Sequence, residues 1–204
     1  MTAVGNIVFD IGNVLIRWDP TLLYSRLLPD AERRDWFLRV VCSPDWNLEM
    51  DRGRPFAEGI AERVARHPEW DAEIRAWDER WHDMVPGALD GTVAILESLR
   101  EAGIPTFAIT NFSAEKFAEC LDRFPFLHGF HDTVVSAHEK LVKPDPAIYR
   151  LFLDRNDLDP ATCLFVDDNL DNVVAARTVG MKAVPFTSPA RFSADLVTHG
   201  IQVD

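Results

Sequence analysis

Runs of consecutive apolar residues recur along the chain, and each stops abruptly at a polar group. Ile7-Val8-Phe9 ends at Asp10, Phe107-Ala108-Ile109 at Thr110-Asn111, and Leu164-Phe165-Val166 at Asp167-Asp168. Runs this short, bounded by turn residues and rich in β-branched and aromatic side chains, predict buried strands. The predicted strands are Ile7 to Phe9, Thr106 to Thr110, Thr133 to Ser136, Cys163 to Val166 and Met181 to Phe186. Val14 to Ile16 reads as a further short extended piece after a Gly12-Asn13 turn. Between these runs the apolar residues fall at helical spacing. Val93, Leu96 and Leu99 mark a helix ended by Gly103, Ser113 caps one reaching Leu121, Pro146 to Asp154 forms another, and Leu170 to Val179 is closed by Gly180. Strands alternating with helices predict an α/β fold, a Rossmann-like doubly wound parallel sheet.

Residues 19–84 break that rhythm. Phe56, Ile60 and Val64 lie four apart, Ile74, Trp77 and Trp81 continue the helical spacing, and Asp30 opens an amphipathic patch reaching Val40. All six tryptophans precede residue 85, and a bundle this small has little else to bury. The prediction is an α/β core formed by 1–18 and 85–204, with an inserted α-helical cap at 19–84. Trp46-Asn47, after Pro44, reads as a non-helical stretch facing the functional crevice. Arg17 and Trp18 also enter as pocket candidates because they follow the Asp10 turn closely.

Composition narrows the function classes. With 47% hydrophobic and 26% charged residues the chain has ample material for a core. Twenty-one Lys plus Arg face 33 Asp plus Glu, a formal charge of −12, which disfavours nucleic-acid partners. Cys42, Cys120 and Cys163 are widely spaced and read as reduced thiols. No basic leader and no stretch of about 18 apolar residues is visible, so the expectation is a cytoplasmic protein with no membrane partner.

Strand ends in a parallel sheet point one way, so Asp10, Thr110, Asn111, Asp167 and Asp168 can meet in one crevice, with Lys143 in the loop after the third strand. That set suits phosphoryl transfer. A carboxylate can serve as nucleophile, carboxylates and carbonyls suit Mg²⁺, and hydroxyl, amide and ammonium donors suit phosphoryl oxygens. Taken singly, Asp10 could be a turn residue, Thr110-Asn111 a capping pair and Lys143 a solvated lysine. Two adjacent acids ending a buried strand are harder to explain without a cation.

The order Phe9-Asp10-Ile11-Gly12-Asn13-Val14-Leu15, Ile109-Thr110-Asn111, Lys143-Pro144-Asp145-Pro146 and Val166-Asp167-Asp168-Asn169-Leu170-Asp171-Asn172 resembles the haloacid dehalogenase-like (HAD) hydrolase superfamily. It is most similar to members with a class I helical cap and a D-x-G-N-V first motif. The resemblance implies that Asp10 is the nucleophile and that Asp10, the Gly12 carbonyl and Asp168 hold Mg²⁺. It implies that Thr110, Asn111 and Lys143 bind the phosphoryl group, with Asp167 and Asn172 ordering the surrounding loop and metal waters. The substrate-pocket candidates are Arg17, Trp18, Trp46 and Asn47. The implied activity is Mg²⁺-dependent hydrolysis of a small phosphorylated metabolite, a sugar phosphate among the candidates, through an aspartyl-phosphate.

One departure stands out. Such phosphatases usually carry a second Asp two residues after the nucleophile as general acid, and here that position is Gly12. The acid must then be sought at Asp19, Asp167 or in the cap; a glycine there also allows a left-handed backbone. Two other readings remain. A 2-haloacid dehalogenase would use the same Asp without metal, but the resemblance then implies Ser-x-Asn where this chain has Asp167-Asp168. A non-catalytic phosphate-binding protein would have no need of a nucleophile. The sequence carries no signal of oligomeric state.

Overall fold

Five strands form a single parallel sheet in a computed structural model that describes residues 2–202. They are β1 (Asn6–Phe9), β2 (Thr106–Thr110), β3 (Thr133–Val135), β4 (Cys163–Asp167) and β5 (Lys182–Pro185). Their order is β3-β2-β1-β4-β5, with Phe9 level with both Ala108 and Val166. The chain winds outward from β1 to β3, then crosses back to β4. The switch point therefore lies between β1 and β4, where ligands of such sheets bind beyond the carboxyl ends.

Both faces are covered, which explains the unbroken apolar runs. Ile7, Phe9, Ala108, Leu164 and Val166 enter one core with α6 (Asp90–Glu101), α7 (Ala114–Arg123) and α11 (Pro189–Thr198). Val8, Phe107, Ile109 and Phe165 enter the other, against α9 (Pro146–Asn156) and α10 (Leu170–Thr178). Three helices start just beyond the predicted motifs, and each is capped locally. Ser113 accepts from the Lys116 N–H, Asp145 from Ala147 and Asn169 from Asp171. Gly103 (φ 72°) and Gly180 (φ 96°) end their helices in the left-handed region, as the sequence predicts.

Between β1 and α6 the chain is helical: α1 (Thr21–Leu27), α2 (Ala31–Trp36), α3 (Pro44–Asp51), α4 (Phe56–Arg66) and α5 (Asp71–Glu79), with one π turn and two 3₁₀ turns. A four-residue helix, α8 (Ser136–Glu139), follows β3. Aromatic contacts tie the helical segment together: Trp77 meets Tyr24, Trp18 and Trp46 with ring centroids 5.8, 6.2 and 5.6 Å apart. This core runs on without a break through Ile11 and Leu15 to the first face of the sheet.

Two local expectations are corrected. Val14 and Leu15 are turn residues rather than extended, and only Ile16 bridges, to Gly12 and Ala88. The Leu15 and Ile16 amides both turn back to the Ile11 carbonyl, and the left-handed residue of that turn is Asn13 (φ 53°), not Gly12. The Asn13 side chain stabilises the turn by accepting from the Trp18 N–H at 3.0 Å. The stretch after Pro44 is helical, not a loop. Ser43 caps it and Pro44 occupies the first turn, where a missing N–H costs nothing.

Candidate active site

The ends of β1 and β4, with the loop after α8, bring three ionisable side chains into direct contact. Lys143 Nζ lies 2.8 Å from Asp10 Oδ1 and 2.7 Å from Asp167 Oδ2. All three residues are buried, with Asp167 fully inaccessible and Lys143 2% exposed. A buried ammonium is tolerable only with such partners. Asp167 is fully engaged: its oxygens also accept from the Asn169 N–H at 2.8 Å and from Asn172 Nδ2 at 3.0 Å. Asp10 Oδ1 takes one more donor, the Ile11 N–H at 2.7 Å.

Asn111 works on Lys143 through the backbone. Its Nδ2 donates to the Lys143 carbonyl at 3.0 Å and its Oδ1 accepts the Lys143 N–H at 2.8 Å. The amide thus anchors the lysine stem from β2, 32 positions away. The Thr110 hydroxyl is buried and makes no hydrogen bond, and neither does Asn172 Oδ1. A buried donor without a partner is costly unless something engages it, and Thr110 is not among the residues that line the crevice. Asp168 sits outermost, held by a hydrogen bond from the Asn13 side chain.

Carboxylate oxygens of Asp10, Asp167 and Asp168 lie within 4.8 Å of one another. Burial, partly offset by Lys143 and reinforced by Asp167, pushes the Asp10 carboxyl up to about 7. Burial and then the Asp167 charge also raise Asp168, while the two carboxylates outweigh burial and raise Lys143. A cluster with more negative charge than one lysine balances is short of a cation. Because Asp167 is engaged by its donors, Asp10 and Asp168 are the carboxylates of this cluster that could hold a hard cation such as Mg²⁺.

The crevice above this floor encloses about 350 Å³. Asp10, Gly12, Asn111, Lys143, Asp168 and Asn172 border it, whereas the predicted Thr110 and Asp167 are buried and do not line it. Of the four pocket candidates, Trp18 and Asn47 line the crevice. Arg17 is exposed and lies outside it, its amide held by the Gly87 carbonyl. Trp46 is 2% exposed inside the helical segment, with its indole N–H donated to the Gly59 carbonyl at 3.3 Å. Asn47 turns to the crevice because it lies one position further round α3 from Trp46.

The sequence reading overlooked Asp51, Lys116, Phe56, Trp81 and Phe112, which complete the walls. The helical spacing carried a usable signal for one of them. With Pro44–Asp51 read as a helix, Asn47 and Asp51 fall one turn apart on the same face, and the structure joins them at 3.1 Å. Lys116 had no such signal: its ammonium reaches Asp78 at 2.7 Å, a partner 38 residues distant in sequence.

The comparisons with known proteins agree with this geometry. The family model described as haloacid dehalogenase-like hydrolase matches residues 54–186. Phosphatase MT3486 of Mycobacterium tuberculosis (strain CDC 1551 / Oshkosh) is 35% identical over 191 residues, covering 89% of this chain and 86% of its own. Hexitol phosphatase A of Escherichia coli (strain K12) is 27% identical over 194 residues, 90% of this chain and 88% of its own. Among solved structures, the HAD family enzyme BT-2542 of Bacteroides thetaiotaomicron, in complex with magnesium and inorganic phosphate, superposes with a TM-score of 0.72. It is 19% identical and covers 91% of this chain and 95% of that one. A family match over more than half of the chain, on a parallel sheet with three motifs at strand ends and the Lys143 motif in the loop after α8, places the protein in the haloacid dehalogenase-like hydrolase family.

Proposed function

We propose that the protein is a Mg²⁺-dependent phosphatase that hydrolyses a small phosphomonoester through an aspartyl-phosphate on Asp10. The observation that carries this reading is the Asp10–Lys143–Asp167 chain of contacts at 2.8 and 2.7 Å, on a crevice that Asp10, Lys143 and Asp168 border. Lys143 holds one Asp10 oxygen, which leaves the other free to attack phosphorus in line. The Thr110 hydroxyl and the Lys143 ammonium supply donors for phosphoryl oxygens, and the Asn111 clamp fixes the lysine's position. Asp167 keeps Lys143 charged and in place. Bound to Asp10, Asp168 and the Gly12 carbonyl, Mg²⁺ would supply charge neutralisation for the incoming phosphoryl group.

The relatives named as phosphatases support the reaction class, and the helical segment 19–84 fits the part of a class I cap over the crevice. The dehalogenase alternative has no use for the clustered acids at 167 and 168. A non-catalytic phosphate binder has no use for a carboxylate nucleophile on the floor. The deciding measurement is phosphate release from a panel of phosphorylated metabolites with Mg²⁺, with and without chelator, beside halide release from chloroacetate. Phosphate release that chelator abolishes and Mg²⁺ restores is the expected result. Full activity in excess chelator, or halide release alone, would reject this function.

A further inference from the structure

Attack by Asp10 expels an ester oxygen on the far side of phosphorus, and for an alkyl ester that oxygen needs a proton as it leaves. The floor of the site offers none. Gly12 has no side chain. Asp167 is saturated by Lys143, Asn169 and Asn172. Asp19 lies outside the crevice, its carboxylate engaged by the Thr21 N–H at 2.9 Å and hydroxyl at 2.6 Å. Besides Asp10 and Asp168, one acid lines the crevice among the described residues: Asp51, at the last position of α3 in the helical segment. It belongs to the wall rather than the floor, and its carboxyl is held by Asn47 Nδ2 at 3.1 Å and by the backbone N–H of Ser113.

On the proposed phosphatase reading, we propose that Asp51 is the catalytic acid and base that replaces the side chain missing at Gly12. In the first step an Asp10 oxygen bonds to phosphorus, the bond from phosphorus to the ester oxygen breaks, and the Asp51 proton passes to that oxygen to release an alcohol. In the second step Asp51, now a carboxylate, takes a proton from the water that attacks phosphorus. The Asp10–phosphorus bond breaks, giving phosphate and restoring both residues. Burial pushes the Asp51 carboxyl up to about 7, against the Ser113 N–H and the Lys143 charge, which pull it down. The other charged side chains lining the same crevice are Lys116, Asp10 and Asp168.

The test compares the wild type with Asp51→Asn, with Mg²⁺ present, on aryl phosphates of graded leaving-group acidity and a primary alkyl phosphate. The expected loss is ~10²–10⁴-fold on the alkyl ester and under about tenfold on the most acidic aryl ester. The fall in the wild-type rate on the alkyl ester above about pH 7 should vanish in the variant. Asp51→Ser, which also lacks the acid but keeps an acceptor for Ser113, gives the same reading if the Asn variant does not fold. Equal losses on every ester, or an unchanged pH profile, would overturn the role of Asp51 while leaving the phosphatase intact. A wild type that releases phosphate from no ester would instead reject the phosphatase reading itself, and the role of Asp51 with it.

Discussion

Around Lys143 the consequences of single substitutions separate sharply. Asp10→Asn removes the nucleophilic charge but leaves one lysine against one buried carboxylate, Asp167. Turnover should fall below detection in a phosphate-release assay while the melting temperature stays at or above that of the wild type. Lys143→Ala leaves Asp10 and Asp167 buried without their common partner, and breaking such a pair costs about 3–5 kcal/mol. That loss should appear in urea unfolding. Asp51 gives a pH-dependent case. Its folded carboxyl titrates near 7, above the ordinary 3.8, so the folded state holds a proton that the unfolded chain has released. Its contribution is complete at acid pH and is lost as pH rises from about 4 to about 7. Asp51→Asn has no such loss, so its melting temperature relative to the wild type should be higher at pH 8 than at pH 4.5. Gly12 is roomier than its sequence context suggests. Its φ is not in the left-handed region, and an added Cβ would meet nothing within 4 Å. Gly12→Asp should therefore fold normally and, combined with Asp51→Asn, recover turnover of alkyl esters.

At the level of elements, legibility followed locality. β1, β2 and β4 are short apolar runs ended by polar residues, and they were readable because both faces of the sheet are covered. The helix after Ser113 and those ended by Gly103 and Gly180 were readable because cap and stop residues act within a turn. α3 was not, because Pro44 looks like a breaker until Ser43 is seen to cap the turn it opens. That one error hid Asp51. Arg17 and Trp46 failed as pocket residues for a different reason: which face of a local element meets the crevice is settled by tertiary packing. Trp46 lies against Trp77, and Trp77 is the hub of the helical segment. Trp77→Ala should cost about 3–5 kcal/mol, with a lowered denaturation midpoint and loss of activity in step with unfolding.

Across the whole molecule, function depends on contacts between parts far apart in sequence. The four motif segments meet because a parallel sheet gathers its strand ends, so their convergence followed from topology before any side chain was placed. The walls did not, because they depend on how the helical segment lies over the sheet. The ties that hold it there include the Phe56 N–H to Glu115 at 3.0 Å, the Ser113 N–H to the Asp51 carboxyl, the Ser136 hydroxyl to the Asp51 carbonyl, His82 to Glu119 at 2.9 Å and Lys116 to Asp78 at 2.7 Å. Asp78→Asn should weaken closure and raise KM for substrate more than it changes kcat. Lys116 also binds Glu119, at 2.9 Å, on its own helix. If the segment lifted away from α7, the ammonium would give up Asp78 yet keep Glu119, so no buried charge would be stranded. Opening would break every one of these ties, but the Lys116 ammonium, the buried charge among them, would keep a partner throughout.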